Sequence, residues 1–337
     1  MEKRNYFHKN VGRLKYDNTI NVHNGLISAL KTQIPSGENP ANMLKDLLSI
    51  SKEGAYRRLR GEIQLTLEEA IILAKKLEIS IDNLIETNGE DKKTFHIYLF
   101  EKDSYTEEYH KMLIDIMNSY LYIKSDPECY NYYVGKIFPL ILYFKYKEFS
   151  KFAFFKWIYL VRGNIKYTTF ADLNVTPELE NLRQPFMDAA MEIPTTYILN
   201  DDMFTSIAKD LKYYYTIKLL TKEDTEILKE QILMLIDDME EIAVKGMYKT
   251  GAKVSIYVTE SYFDITYTHI KGNGIEACGI GIYGLNFLSC MNKQIVNNHK
   301  TWIESLIKYS TLISQSGESK RITFFNRQRE KINNIVI

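Results

Sequence analysis

The chain has 337 residues, 45% hydrophobic and 13% aromatic, enough apolar material for packed cores and too much for a wholly disordered protein. Its 43 basic and 43 acidic residues cancel, so affinity for a polyanion requires a local basic surface rather than a field from the whole molecule. Three scattered cysteines, Cys129, Cys278 and Cys290, and six unclustered histidines point to neither a disulfide framework nor a zinc site, and no metal or cofactor is expected.

In chain order, residues 1–19 form a basic arm carrying Lys3, Arg4, Lys9, Arg13 and Lys15 against Glu2 and Asp17, without the apolar segment of a signal peptide. Val22, Leu26, Ala29 and Leu30 predict a helix from Ile20 to Ile34, ended by Pro35-Ser36-Gly37. Asn39 caps a second helix with Met43, Leu44, Leu47 and Leu48 on one face. Ser51 caps a third, rich in arginine, that stops at Gly61. Thr66 and Glu69 make a capping box for a fourth helix with Leu67, Ala70, Ile71, Ala74 and Leu77 as its apolar face. Ser80 caps a short last turn through Ile81, Leu84 and Ile85. A polar linker follows at 88–94.

The third helix carries the charge that composition lacks. Lys52, Arg57, Arg58 and Arg60 are opposed there only by Glu53. On a helical wheel Ala55, Tyr56 and Leu59 fall inward. Glu53, Gly54 and Arg57 fall opposite, with Arg58 and Arg60 at the edges as the expected phosphate contacts. A helix-turn-helix lays its second helix in the major groove, where an arginine fork can hold guanine O6 and N7 together or grip a phosphate. Gly54 leaves room for the sugar-phosphate backbone.

Residues 20–87 resemble the Cro/C1-type (XRE-like) helix-turn-helix regulators, most closely their BetR-like branch. The likeness is strongest from Tyr56 to Glu62, at Thr66-Leu67-Glu68-Glu69, at Ala74-Lys75-Lys76-Leu77 and from Ser80 to Leu84. The resemblance implies base contacts from Lys52, Glu53 and Arg57, a phosphate contact from Tyr56 and a capping role for Ser51. The chain departs from the pattern at Lys45, where a small alanine is usual, at Ser49, where a turn glycine is usual, and at Arg58 and Leu59.

Beyond the linker, Phe95, Ile97 and Leu99 alternate as a short strand. Residues 105–247 read as almost entirely helical, clearest at Leu211–Leu220 and Glu226–Val244, with prolines dividing the stretch into five to seven helices. The aromatic belt from Tyr120 to Phe170 is expected between helices. The apolar run Ile137–Val161 is interrupted by Lys145, Lys147, Glu148, Lys151 and Lys156 and cannot span a bilayer at ordinary cost. Lys253–Thr259, Ser261–Ile270 and Ile275–Ile282 predict a three-stranded antiparallel meander with a turn at Gly272-Asn273-Gly274.

Gly279, Gly281 and Gly284 fit G-x-G-x-x-G, but a dinucleotide loop needs a parallel strand–helix unit, so these glycines are assigned to a twisted strand. His269 and His299 stand without a carboxylate or serine at motif spacing, and no catalytic residue is expected. Helices at Gln294–Ile313 and Glu318–Ile332 close the chain, the last with Ile322, Phe325 and Ile332 inward and Lys320, Arg321, Arg327, Arg329 and Lys331 outward.

The fold class expected is α+β, mostly α. It comprises a basic arm (1–19), an all-α helix-turn-helix domain (20–87), the linker, a mainly helical region (95–250) and a small antiparallel sheet with closing helices (251–337), the last two packed as one effector or dimerisation unit. The function expected is a cytoplasmic, non-enzymatic regulator that binds double-stranded DNA as a homodimer and answers to a small-molecule effector, without membrane contact. A helix-turn-helix that serves protein contacts instead is the alternative. An enzyme targeted by a DNA reader is a third reading.

Overall fold

A computed structural model describes residues 22–33, 39–77, 81, 95–98, 105–135, 138–161, 169–261, 263, 265–282 and 284–335. The expected arm, the Pro35-Ser36-Gly37 stop, the Ser80 cap, Leu84, Ile85 and the linker lie outside these. The chain divides into two compact units, Met1–Lys92 and Lys93–Ile337.

Among the described residues the first unit holds four helices: α1 (Val22–Gln33), α2 (Pro40–Leu48), α3 (Lys52–Leu59) and α4 (Leu67–Lys76). Each start from α2 onward has its predicted cap: Asn39 Oδ1 accepts from the Ala41 N–H, Ser51 Oγ from Gly54, and Thr66 and Glu69 close a reciprocal capping box. The core is small and aliphatic: Leu26, Leu30, Leu44, Ala55, Leu73 and Leu77 among others. The face expected for α4 is corrected. Leu73 lies inside with Ala70 and Ala74, while Leu67 and Ile71 are 71% and 50% exposed. The Arg58–Glu69 ion pair described below fixes the roll of α4 and turns those two residues outward.

The second unit is α+β, mostly α. Among the described residues its sheet has eight strands: β1 (His96–Tyr98), β2 (Tyr130–Gly135), β3 (Thr195–Asn200), β4 (Val254–Thr259), β5 (Tyr267–Gly272), β6 (Ile275–Ile282), β7 (Asn286–Cys290) and β8 (Thr311–Leu312), in the order β1-β7-β6-β5-β2-β3-β4-β8. The sheet is mixed, which corrects the small antiparallel one expected: β2, β3 and β4 run parallel. The segment from 105 to 247 contains β2 and β3 as well as helices. Thr195–Asn200 is a short, mostly buried run with β-branched and aromatic residues; it lacks the alternation of a half-exposed strand because both its faces are covered. The meander also changes members. β5, β6 and β7 form it, while β4 pairs with β3 and β8 instead of β5. Asn273 and Gly274, with φ of +51° and +79°, make the two-residue turn of the β5–β6 hairpin. β1 adds antiparallel to β7.

Helices cover both faces. On one side lie α5 (Tyr105–Ile123), α6 (Leu140–Tyr143), α7 (Lys147–Val161), α8 (Pro177–Ala190), α9 (Met203–Thr216), α10 (Lys222–Lys245) and α12 (Glu318–Asn333), around a core in which Phe152, Phe170, Phe186, Tyr197 and Phe204 are almost fully buried. The aromatic belt is therefore largely core. On the other face α11 (Lys293–Lys308) seats Val296, Ile303 and Leu306. In α12 the inward set is shifted from the expected one. Ile322 is 45% exposed, and Arg321 is buried with Nη1 donating to the carbonyls of Ile313 and Ser316. Among the described residues no helix is long and apolar enough to cross a membrane.

The G-x-G-x-x-G glycines lie in and just after antiparallel β6. A Cβ on Gly279 would sit 2.5 Å from Thr268 Oγ1 on β5. Gly279→Ala should destabilise the second unit by roughly 1–3 kcal/mol, and Thr268→Ala in the same chain should recover most of that loss. Both tryptophans, Trp157 and Trp302, lie in this unit, so denaturant unfolding followed by their fluorescence measures it directly.

Candidate nucleic-acid interface

Both ends of α3 are defined by local chemistry. Ser51 Oγ accepts from the Gly54 N–H at 3.0 Å. At the C-terminus the Gly61 N–H donates to the Arg58 carbonyl at 3.0 Å and the Glu62 N–H to the Arg57 carbonyl at 2.9 Å, with Gly61 left-handed at φ +73°. These two bonds are a Schellman closure. Ser49, at the end of α2, is left-handed too, with φ of 53°.

Ala55 is buried, Tyr56 and Leu59 are half-buried, and Lys52, Glu53, Arg57 and Arg60 are exposed. A Cβ on Gly54 would lie 3.1 Å from Ser51 Oγ, so this glycine relieves the cap as well as the outer face. Tyr56 accepts a hydrogen bond from Asn39 Nδ2 at 2.8 Å, which leaves the phenol proton available to an outside acceptor.

The arginines divide into two kinds. Arg58 is a fixed structural clamp. Its Nε and Nη2 hold Glu69 at 2.9 and 2.6 Å, and its Nη1 donates to the Gly54 carbonyl at 3.2 Å. Both side chains of the pair are largely buried, 13% and 15% exposed. The same Glu69 Oε2 accepts from the Thr66 N–H at 3.0 Å. The hydrogen bonds from Arg58, against a burial penalty and with help from Thr66, hold the Glu69 carboxyl below the usual carboxylate range.

Arg57 and Arg60, by contrast, are about half exposed and share Glu62, Arg57 at 3.6 Å and Arg60 at 2.6 Å. Exposed pairs of this sort contribute about 0–1 kcal/mol and exchange readily for another anion.

His23, which stands in no recognisable motif, ties α1 to this assembly. Its Nδ1 accepts from the Leu65 N–H at 3.1 Å, so Nε2 carries the proton and donates to the Arg58 carbonyl at 2.9 Å.

In the second unit the two histidines set apart in the sequence come together. His269 on β5 is fully buried, with Nε2 3.1 Å from Glu276 Oε1 and 3.3 Å from the Tyr130 hydroxyl, and its ring stacks 6.3 Å from His299 on α11. Burial lowers the proton affinity of both, against the pull of Glu276 on His269. Enclosed beneath α11, this group cements helix to sheet. No family model, curated protein or solved structure matches the chain.

An Arg58→Met, Glu69→Gln double-mutant cycle should return a coupling of about 1–3 kcal/mol, read from amide exchange of α1–α4. Because Glu69 is depressed in the folded state, its contribution is complete above the unfolded carboxylate value near 4.5 and is lost as pH falls through the lower folded one. Wild type should therefore lose stability in acid more steeply than Glu69→Gln. His269 and His299 are likewise depressed, so the second unit should weaken as pH falls below about 6.5, where the unfolded imidazoles take up protons first. His269→Gln should flatten that slope in tryptophan-detected unfolding.

Proposed function

We propose that the chain is a cytoplasmic, sequence-specific DNA-binding transcriptional regulator of the one-component type. In this reading the first unit binds double-stranded DNA, and Lys93–Ile337 provides dimerisation and response to a small-molecule effector. The observation that carries the reading is α3 itself. It is capped at both ends, rolled into place by the Arg58–Glu69 clamp, and turns Lys52, Glu53 and Arg57 outward together. That roll supports base-edge contacts from Lys52, Glu53 and Arg57. Arg60 and the Tyr56 hydroxyl are suited to phosphates, and Arg58 acts from behind as the residue that orients the helix. A single small module buries too little surface for tight specific binding, which favours paired half-sites and a dimer.

A second reading, a protein-binding module, is favoured by one feature. α4 exposes Leu67 and Ile71 one turn apart with Ile72 beside them, an apolar stripe separate from the basic face of α3.

Selection of sites from a random duplex pool by the full-length protein separates the two. The DNA reading expects one enriched motif whose affinity falls steeply between low and moderate salt. Arg57→Ala should weaken that motif by about 1–3 kcal/mol and relax preference at one base position, whereas Arg60→Ala should weaken all duplexes alike. A pool that enriches no motif would move the assignment to the protein-binding reading.

A further inference from the structure

The strand register of the second unit draws a row across the sheet: Tyr132 on β2 stands opposite His269 on β5, His269 opposite Cys278 on β6, and Cys278 opposite Cys290 on β7. The row ends in two thiols. Directly opposed residues of an antiparallel pair have Cα atoms roughly 4.5–5.5 Å apart and side chains on the same face, inside the range of roughly 4.4–6.8 Å that a disulfide spans. Both cysteines are free and buried, with Val296 and the flanking Phe95 and Ile295 packed around them. The third, Cys129, belongs to a separate cluster with Ile123 and Ile193.

The two sulfurs are not equivalent. The Cys278 thiol hydrogen-bonds to Cys290, and burial pushes its own titration up to about 11, so it keeps its proton. Cys290 Sγ also accepts from the Asn292 N–H at 3.4 Å. Asn292 is the N-cap of the 16-residue α11, so that donor stands at the helix end which favours negative charge. Cys290 follows the last β1–β7 pairing, His96 with Ser289, and precedes Met291, which is 57% exposed. The buried pair thus adjoins an exposed residue at the end of β7.

We propose that Cys278 and Cys290 form a reversible oxidative cross-link in which Cys290 is the attacking and Cys278 the resolving thiol, with a small hydroperoxide as oxidant. Cys290 sulfur attacks the near peroxide oxygen, the O–O bond breaks, and the departing oxygen leaves as water or an alcohol after taking the thiol proton. Cys290 is then a sulfenic acid. Cys278 sulfur attacks the Cys290 sulfur and the S–O bond breaks. The hydroxyl leaves as water with the Cys278 proton. In sum two thiols lose two electrons and two protons to the peroxide. The bond ties the end of β7 to β6 immediately before α11, and it is independent of the DNA-binding reading.

The test uses the full-length protein and hydrogen peroxide, followed by denaturation in an alkylating reagent and peptide mass mapping. Alkylated cysteines should fall from three to one, Cys129, with a peptide joining Cys278 to Cys290 that dithiothreitol reverses. Cys129→Ser should keep the cross-link. Cys278→Ser should stop at a sulfenic acid on Cys290 that dimedone traps. Three alkylated cysteines after oxidation, or cross-links only between chains, would overturn the proposal, and the wild-type map decides this even if a variant fails to fold.

Discussion

The outward face of α3 depends on one carboxylate. Glu69 receives two hydrogen bonds from the Arg58 guanidinium and one from the Thr66 N–H, so a single side chain both closes the start of α4 and sets the rotation of α3. The guanidinium fork and the carboxylate are planar and bidentate, which fixes an angle as well as a distance. His23 then secures the end of α3 from α1 through the Arg58 carbonyl. With these bonds made, the choice of which residues face solvent is closed. Lys52, Glu53, Arg57 and Arg60 point out because Ala55 and Arg58 are committed inward.

The second unit rests on a different constraint, the burial of β3 on both faces between its parallel neighbours β2 and β4. Parallel strands need long crossovers, and the helices between β2 and β4 supply them while carrying most of the aromatic core. α10 is the spine of that layer. A capping box at Thr221 and Asp224 starts it and left-handed Gly246 ends it. Leu228, Ile232, Leu235, Ile236 and Met239 are fully buried along one side. On the opposite face α11 and Phe263 cover the sheet, and there the interior turns polar, with His269, Glu276 and Tyr130 hydrogen-bonded to one another across three strands.

Legibility in the sequence followed the range of the interactions involved. Caps, a C′ glycine and a two-residue hairpin turn act within a few residues, and Asn39, Ser51, Thr66, Gly61 and Asn273-Gly274 were all readable. β3 was hidden because burial on both faces removes the alternation that marks a strand, and β2 because Tyr130 to Tyr133 are all half-buried and none contrasts with its neighbour. The partners of Arg58 and His23 lie 11 and 42 residues away in sequence, with no spacing to betray them. Hence α3 could be read from its own residues, while the pairing of Arg58 with Glu69 could not. On α12 the same limit applied: Arg321 is inward because carbonyls of a preceding turn need a donor, which a count of apolar positions does not register.

Glu62 gives the face of α3 a property that its arginine count conceals. Standing between Arg57 and Arg60, it acts as a tethered competitor, an anion held at high effective concentration beside the two cations. A polyanion arriving at this surface competes with it for both guanidinium groups, most directly for that of Arg60. The competition taxes every encounter equally, and only an encounter with further contacts to offer recovers the loss. A chain of zero net charge thus carries these arginines in the open with their own counterion beside them.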